Sequence, residues 1–130
     1  MMFKLVEEKA SEGPAIAVGY AATDSNRPIL SQILFGLEEE EIPFVQYQYI
    51  ADDKTIDNGG CAYELACKSR LSLGIFIGAD NSIALHHKNL LNRKPYLFFH
   101  GRELSMEEIR EIGSSAGKIV KNLPLRIKGV

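Results

Sequence analysis

A short apolar run that turns directly into an amphipathic helix is the feature that most limits what this chain can fold into. Ala15-Ile16-Ala17-Val18-Gly19-Tyr20 has strand length, and a polar turn, Thr23-Asp24-Ser25-Asn26, follows it. That turn offers good helix N-caps, and Pro28 suits the first turn of a helix. Ile29, Leu30, Ile33, Leu34 and Leu37 then recur at helical spacing, so one stripe of the helix is apolar. The helix runs into Glu38-Glu39-Glu40-Glu41, and Pro43 ends it. Phe44 to Ile50 alternates and is rich in β-formers, a second strand.

The pattern repeats with variations. After a polar stretch, Ala51 to Gly60, a short helix carries Ala62, Leu65 and Ala66 on one face. Leu71 to Ile77 is the strongest strand signal, and the turn Ala79-Asp80-Asn81-Ser82 sends Ile83 to His87 back as a hairpin. A basic loop, Leu90 to Pro95, leads to a strand at Tyr96 to Phe99. Ser105 with Glu108 forms a capping box for a last helix, whose stripe is Ile109, Ile112, Ala116, Ile119, Val120 and Leu123, with Pro124 as its stop. The order β-α-β-α-β-β-β-α predicts an α/β fold: three layers, a mostly parallel mixed sheet, helices on both faces, one domain. Residues 1–13 read as a flexible lead-in, with Phe3 and Leu5 touching the domain that spans 14–130.

Composition narrows the function classes. With 130 residues the chain can bury a full core without staples. A net charge of -2 argues against a general nucleic-acid binder, which needs a basic stripe. No apolar run reaches bilayer length, and Met1 to Glu12 is too charged for a secretory signal, so the expected location is the cytoplasm. Cys61 and Cys67 point in different directions on a helix and complete no metal set; both read as reduced packing residues.

Most candidate chemistry dissolves on inspection. Gly113-Ser114-Ser115-Ala116-Gly117-Lys118 is one residue short of a phosphate loop, and Ile119 stands where a hydroxyl should hold magnesium. It also lies inside the last helix, where Gly113 and Gly117 are expected to let that helix approach the sheet. ATP binding by this chain is therefore not expected. His86 and His87, adjacent on a strand, face opposite sides and cannot converge on one metal; one is expected semi-buried, the other exposed. His100 is isolated. No D-x-H-x-x-G run offers a histidine to cobalt, and no G-x-S-x-G elbow offers a nucleophile. What remains is Glu38-Glu39-Glu40-Glu41. Four carboxylates at a helix C-terminus repel one another and oppose the helix dipole, at a cost of up to about 1 kcal/mol each. Either water and salt screen them, or a partner or divalent cation supplies the missing positive charge. If the run awaits a cationic partner, Lys at position 40 or 41 should leave the free domain as stable or slightly more so.

Three stretches, taken together, resemble the small subunit of the diol/glycerol dehydratase-reactivating factors. They are Leu34-Phe35-Gly36-Leu37-Glu38-Glu39-Glu40-Glu41-Ile42-Pro43-Phe44, then Leu73-Gly74-Ile75 through His86-His87-Lys88-Asn89-Leu90, and Ser115-Ala116-Gly117-Lys118-Ile119-Val120-Lys121-Asn122-Leu123-Pro124-Leu125-Arg126. The similarity covers most of residues 15–127, and the glutamate run closing into Ile-Pro-Phe is its most specific part. The resemblance implies a non-catalytic subunit, similar to the dehydratase medium subunit, that pairs with a large, actin-like ATPase subunit as two large plus two small chains. In such a family the small subunit exchanges with the dehydratase medium subunit, and damaged cobalamin is released. Matching Gly36 and Ile42-Pro43-Phe44 to the family pattern assigns an interface magnesium, shared with the large subunit, to Glu39. Glu38, Glu40 and Glu41 are the neighbouring partner-binding candidates. The family often has Gly where this chain has Glu41, a departure at the helix end that leaves Glu38 or Glu40 as alternative ligands. It also implies a cytoplasmic protein, in some hosts associated with a bacterial microcompartment, that binds neither ATP nor cobalamin by itself. Two rivals stand beside it: a medium-subunit-like piece of the dehydratase itself, and a flavodoxin-like ligand binder. The latter would need a phosphate-binding turn after the first strand, and Ala21-Ala22-Thr23-Asp24-Ser25-Asn26 holds no glycine.

Overall fold

Alternation of large and small side chains along the strands decides which face takes which helix. The computed structural model describes residues 3–9, 13–51, 58–89 and 97–126. In chain order these form β1 (Phe3–Lys9), β2 (Ile16–Tyr20), α1 (Arg27–Glu39), β3 (Phe44–Ala51), α2 (Asn58–Lys68), β4 (Leu73–Ile77), β5 (Ser82–His87), β6 (Leu97–His100), a 3-10 turn at Gly101–Glu103, and α3 (Met106–Arg126). The sheet has six strands in the order β1-β3-β2-β4-β5-β6. Its centre, β3-β2-β4, is parallel. β1 flanks it antiparallel on one side, β5 and β6 on the other.

Handedness then places the helices. The chain leaves β2 for β3 on one side and crosses back from β3 to β4 on the other. Two right-handed crossovers in opposite directions put α1 and α2 on opposite faces of the sheet. Ile16, Val18, Ile75, Ile77, Ile83 and Leu85 point toward α1 and α3, where they meet Ile29, Ile33, Leu37, Ile109 and Ile112. The intervening residues are mostly small: Ala17 and Ala84 lie in the α2 layer with Cys61, Ala62 and Leu65. A Cβ at Gly74 would overlap the Ala62 carbonyl and the Ala66 nitrogen, so α2 lies against β4 backbone to backbone. The three-layer α/β reading of the sequence is the fold observed, but the mostly parallel sheet expected is parallel only at its centre: among the described residues two strand pairs are parallel and three antiparallel.

Several local expectations need correction. The lead-in contributes an edge strand: β1 pairs with β3 from Phe3↔Ala51 to Glu7↔Tyr47. Its alternation is too weak in apolar groups to show as a strand, and β3 supplies the partner. Asn26 occupies the N-cap position of α1, yet its side chain makes no cap bond. Fully buried, it donates to the carbonyls of Ala21 (2.7 Å) and Gly78 (3.0 Å), and accepts from the Thr23 amide (3.1 Å). The turn after β2 is thus filled by its own asparagine, tying it to the β4–β5 turn. Pro124 does not stop α3, which runs to Arg126; a proline in a last turn forfeits one backbone bond without bending the chain out of helix at once. The basic loop and Tyr96 lie outside the described residues. The capping box is present as read: the Ser105 amide donates to Glu108 Oε1 (2.8 Å), and the Glu108 amide to Ser105 Oγ (3.1 Å).

Gly113 and Gly117 face α1, not the sheet. A Cβ at Gly113 would overlap the Ile33 carbonyl, and one at Gly36 would overlap the Arg110 carbonyl and come within 2.6 Å of the Ser114 nitrogen. The two helices therefore cross with their backbones in contact. Both histidines of β5 are buried, at 0% and 6% exposure, because α2 covers one side of the strand and the α1/α3 layer the other. His86 packs edge-on to Tyr63, and His87 Nδ1 accepts the Asn89 amide at 3.0 Å.

Two outcomes follow from this packing. In an open helix Gly113→Ala would gain about 1 kcal/mol of propensity. Here the methyl meets backbone that cannot rotate away, and overpacking of about 1–3 kcal/mol should outweigh the gain. A urea titration should show a lower midpoint, and a higher one would contradict the crossing. For His87, burial first and the charge of His86 second hold the imidazole below its ordinary 6.5. Its neutral form is the folded form, so the stability it permits is complete above pH 6.5 and is lost as pH falls toward the depressed folded value. His87→Leu should flatten the fall of melting temperature below pH 6.5. An unchanged acid profile would show that another group sets it.

Candidate functional site

The acidic run divides into groups with different fates, and the end of α1 is what divides them. α1 stops at Glu39, with Glu40 as its C-cap and Glu41 in the left-handed region at φ 58°. The Glu41 amide donates to the Glu38 carbonyl (3.0 Å), and the Ile42 amide reaches back to the Leu37 carbonyl (3.0 Å). These two bonds, with Ile42 packed on the core that holds Leu37, make a Schellman closure. Glycine is the usual residue at its left-handed position because a Cβ there costs about 1–2 kcal/mol. Glu41 occupies that position here, so the closure carries that cost.

The turn aims the four carboxylates differently. Glu38 and Glu41 are exposed. Glu39 is also exposed, at 57% of its side chain, with Arg110 Nε of α3 3.7 Å from its Oε2. Glu40 folds inward and is only 16% exposed. Its Oε2 accepts the Ser114 hydroxyl (2.8 Å) and its Oε1 accepts Lys121 Nζ (2.9 Å). Lys121 chiefly, then Ser114, with a lesser push from the charge of Lys118, holds the Glu40 carboxyl below its ordinary 4.5. Its contribution to stability is present above that value and fades as pH drops through the lowered one.

Glu40, grouped by sequence with the partner-binding residues, is thus committed inside the chain. The missing positive charge at this helix end comes partly from α3. The clamp of Ser114, Lys118 and Lys121 was not legible as such, although the spacing of these residues beside Gly113 and Gly117 puts them all on the face of α3 that meets α1.

By exposure, Glu38, Glu39 and Glu41 could each meet a cation from outside the chain. An exposed carboxylate is a hard oxygen donor, and magnesium usually takes only one or two carboxylates per site, completing its shell with water and other oxygens. Among the described residues no cluster of three His, Cys, Asp or Glu could hold an ion. Among the same residues, no helix is long and apolar enough to cross a membrane.

Residues 13–126 match the family model described as dehydratase medium subunit. The propanediol dehydratase-reactivating factor small subunit of Citrobacter freundii is 34% identical over 113 residues, covering 87% of this chain and 90% of that one. The diol dehydratase-reactivating factor small subunit of Klebsiella michiganensis is 32% identical over 113 residues, covering 87% and 84%. Among solved structures, a glycerol dehydratase reactivase superposes with a TM-score of 0.74 at 28% identity, over 84% of this chain and 93% of that one. A diol dehydratase-reactivating factor complexed with ADP and Mg2+ gives 0.71 at 27%, over 85% and 95%.

The turn predicts opposite responses at adjacent positions. Glu41→Gly should raise stability by about 0.5–1 kcal/mol, the relief at φ 58° less the entropy of a freer unfolded chain. Glu40→Lys, which the bare sequence favours, should instead lower the melting temperature, because it sets a cation against Lys121 and Lys118 and leaves Ser114 without its acceptor. Thermal melts of the two variants check both signs; a stabilised Glu40→Lys would mean the clamp contributes nothing.

Proposed function

Since this chain belongs to the dehydratase medium subunit family, we propose that it is the small subunit of a reactivating factor for a cobalamin-dependent diol or glycerol dehydratase. The observation that carries this reading is the superposition on a glycerol dehydratase reactivase at a TM-score of 0.74 over nearly the whole of both chains. The named small-subunit relatives, at 34% and 32% identity, support the same assignment.

The chain itself carries no chemical step. Its partner is a large subunit that binds and hydrolyses ATP, in an assembly of two large and two small chains. A magnesium ion at that interface would join one carboxylate of this chain to oxygen groups of the large subunit. Glu39 is the carboxylate: exposed, at the end of α1, and paired at the surface with Arg110. Glu38 and Glu41 flank it on the exposed side of the turn. Glu40 serves the fold behind them.

Membership in a family named for the dehydratase medium subunit supports a second step, exchange. A domain that shares the fold of a dehydratase subunit can present a similar surface to that subunit's neighbours and take its place. Displacement loosens the enzyme, damaged cobalamin leaves, and intact coenzyme enters. The nucleotide state of the large subunit sets which partner the small subunit prefers, as any two-state switch is set by differential affinity. The family model's description also admits a second reading, ranked behind the first by the named small-subunit relatives, in which the chain is a structural piece of the dehydratase itself. Coexpression distinguishes them: a reactivase subunit co-purifies with the ATPase subunit, a dehydratase piece with the catalytic one.

Glu39→Gln keeps shape and removes charge. Its loss of an exposed ion pair should cost the fold no more than about 1 kcal/mol. Magnesium-dependent association with the large subunit should weaken markedly, and reactivation of cobalamin-inactivated dehydratase should slow. A Gln variant that assembles and reactivates like the parent, while Glu38→Gln fails, would move the ligand to Glu38. Silence of both would remove the acidic turn from the interface.

A further inference from the structure

We propose that Arg110 is the resident counter-ion of Glu39 in the free chain, and that it sets how much magnesium is needed before the chain docks. The inference rests on the reading of Glu39 as a magnesium ligand.

Among the described residues, Arg110, Lys118 and Lys121 of α3 attend the end of α1, and they divide between two carboxylates. Lys121 bonds Glu40, and Lys118 acts on Glu40 through its charge. Arg110 is the one set beside Glu39 among the described residues, its Nε 3.7 Å from Oε2. That placement is fixed by the backbone. Gly36 lies directly against the Arg110 carbonyl, so the Cα of Arg110 cannot retreat from α1; only its side chain can move.

A guanidinium and a magnesium ion cannot share one carboxylate at no cost. Both are cations, and arginine stays charged at any pH the fold survives, so it cannot yield by losing a proton. It must swing aside. The pair is built for that: both side chains are exposed, 40% and 57%, and 3.7 Å is a loose contact. Surface pairs of this kind shift an equilibrium by about 1.5- to 5-fold, enough to discourage a stray cation but not to block a site completed by a second chain. Arg110 thereby keeps Glu39 neutralised until the large subunit brings the remaining ligands.

The test is the magnesium concentration that gives half-maximal association of the full chain with the ATPase subunit, followed by titration calorimetry. Arg110→Gln should lower that concentration about two- to fivefold, by the size of a surface pair. Arg110→Lys, which keeps a cation on the same helix face, should stay near the parent value and guards against a folding defect in the Gln variant. In a Glu39→Gln background Arg110→Gln should have no effect. An unchanged or raised concentration for Arg110→Gln, or the same shift without Glu39, would overturn the inference while leaving Glu39 as the ligand. If association of the parent ignores magnesium, or Glu39→Gln leaves its magnesium dependence intact, the reading of Glu39 fails, and the role of Arg110 fails with it.

Discussion

Contact between two helix backbones, at Gly36 of α1 and Gly113 of α3, fixes the position of every charged group at the acidic turn. With no side chain between them, the helices cannot slide or rotate without overlap. Arg110, Ser114, Lys118 and Lys121 are then delivered, turn after turn of α3, to the last residues of α1. Glu40 is drawn in by the later ones, and Glu39 is left outward with the first. The division of labour among four identical side chains is a consequence of helix packing, since their chemistry is the same.

That division resolves the apparent cost of the glutamate run. Carboxylates at a helix C-terminus oppose the dipole, and the chain answers by bringing cations from a neighbouring helix. One carboxylate is neutralised by a buried-side clamp. Another is attended by a loose surface pair. The remainder face water, on the side where a partner can reach them.

The layers were readable because the alternation that encodes them is local. Ile16-Ala17-Val18-Gly19-Tyr20 already carries its large and small faces, and the order of elements prescribes α1 and α2 on opposite sides of the sheet. β1 was not readable, because a strand with mixed charged residues is held by its partner β3 and not by its own pattern. The acidic turn was located but not understood. Only the crossing of α1 and α3, residues more than seventy positions apart, shows that Gly113 serves α1 and that Glu40 is spoken for. Asn26 teaches the same lesson: by sequence it is one of four cap candidates in its turn, and in the fold it is a buried staple between two turns.

The proposed docking through the outward carboxylates of α1 makes one direct demand on the complex. Backbone amide exchange at the turn, through Glu40, Glu41 and Ile42, should slow when the ATPase subunit and magnesium are both present. These amides bond to the α1 carbonyls of Leu37 and Glu38, and a bridged Glu39 would hold that closure shut. Hydrogen-exchange mass spectrometry on the chain alone, with magnesium, with the large subunit, and with both, measures this. Protection at the turn only with both present is the result the account predicts. Stable association with the turn exchanging as fast as in the free chain would contradict it.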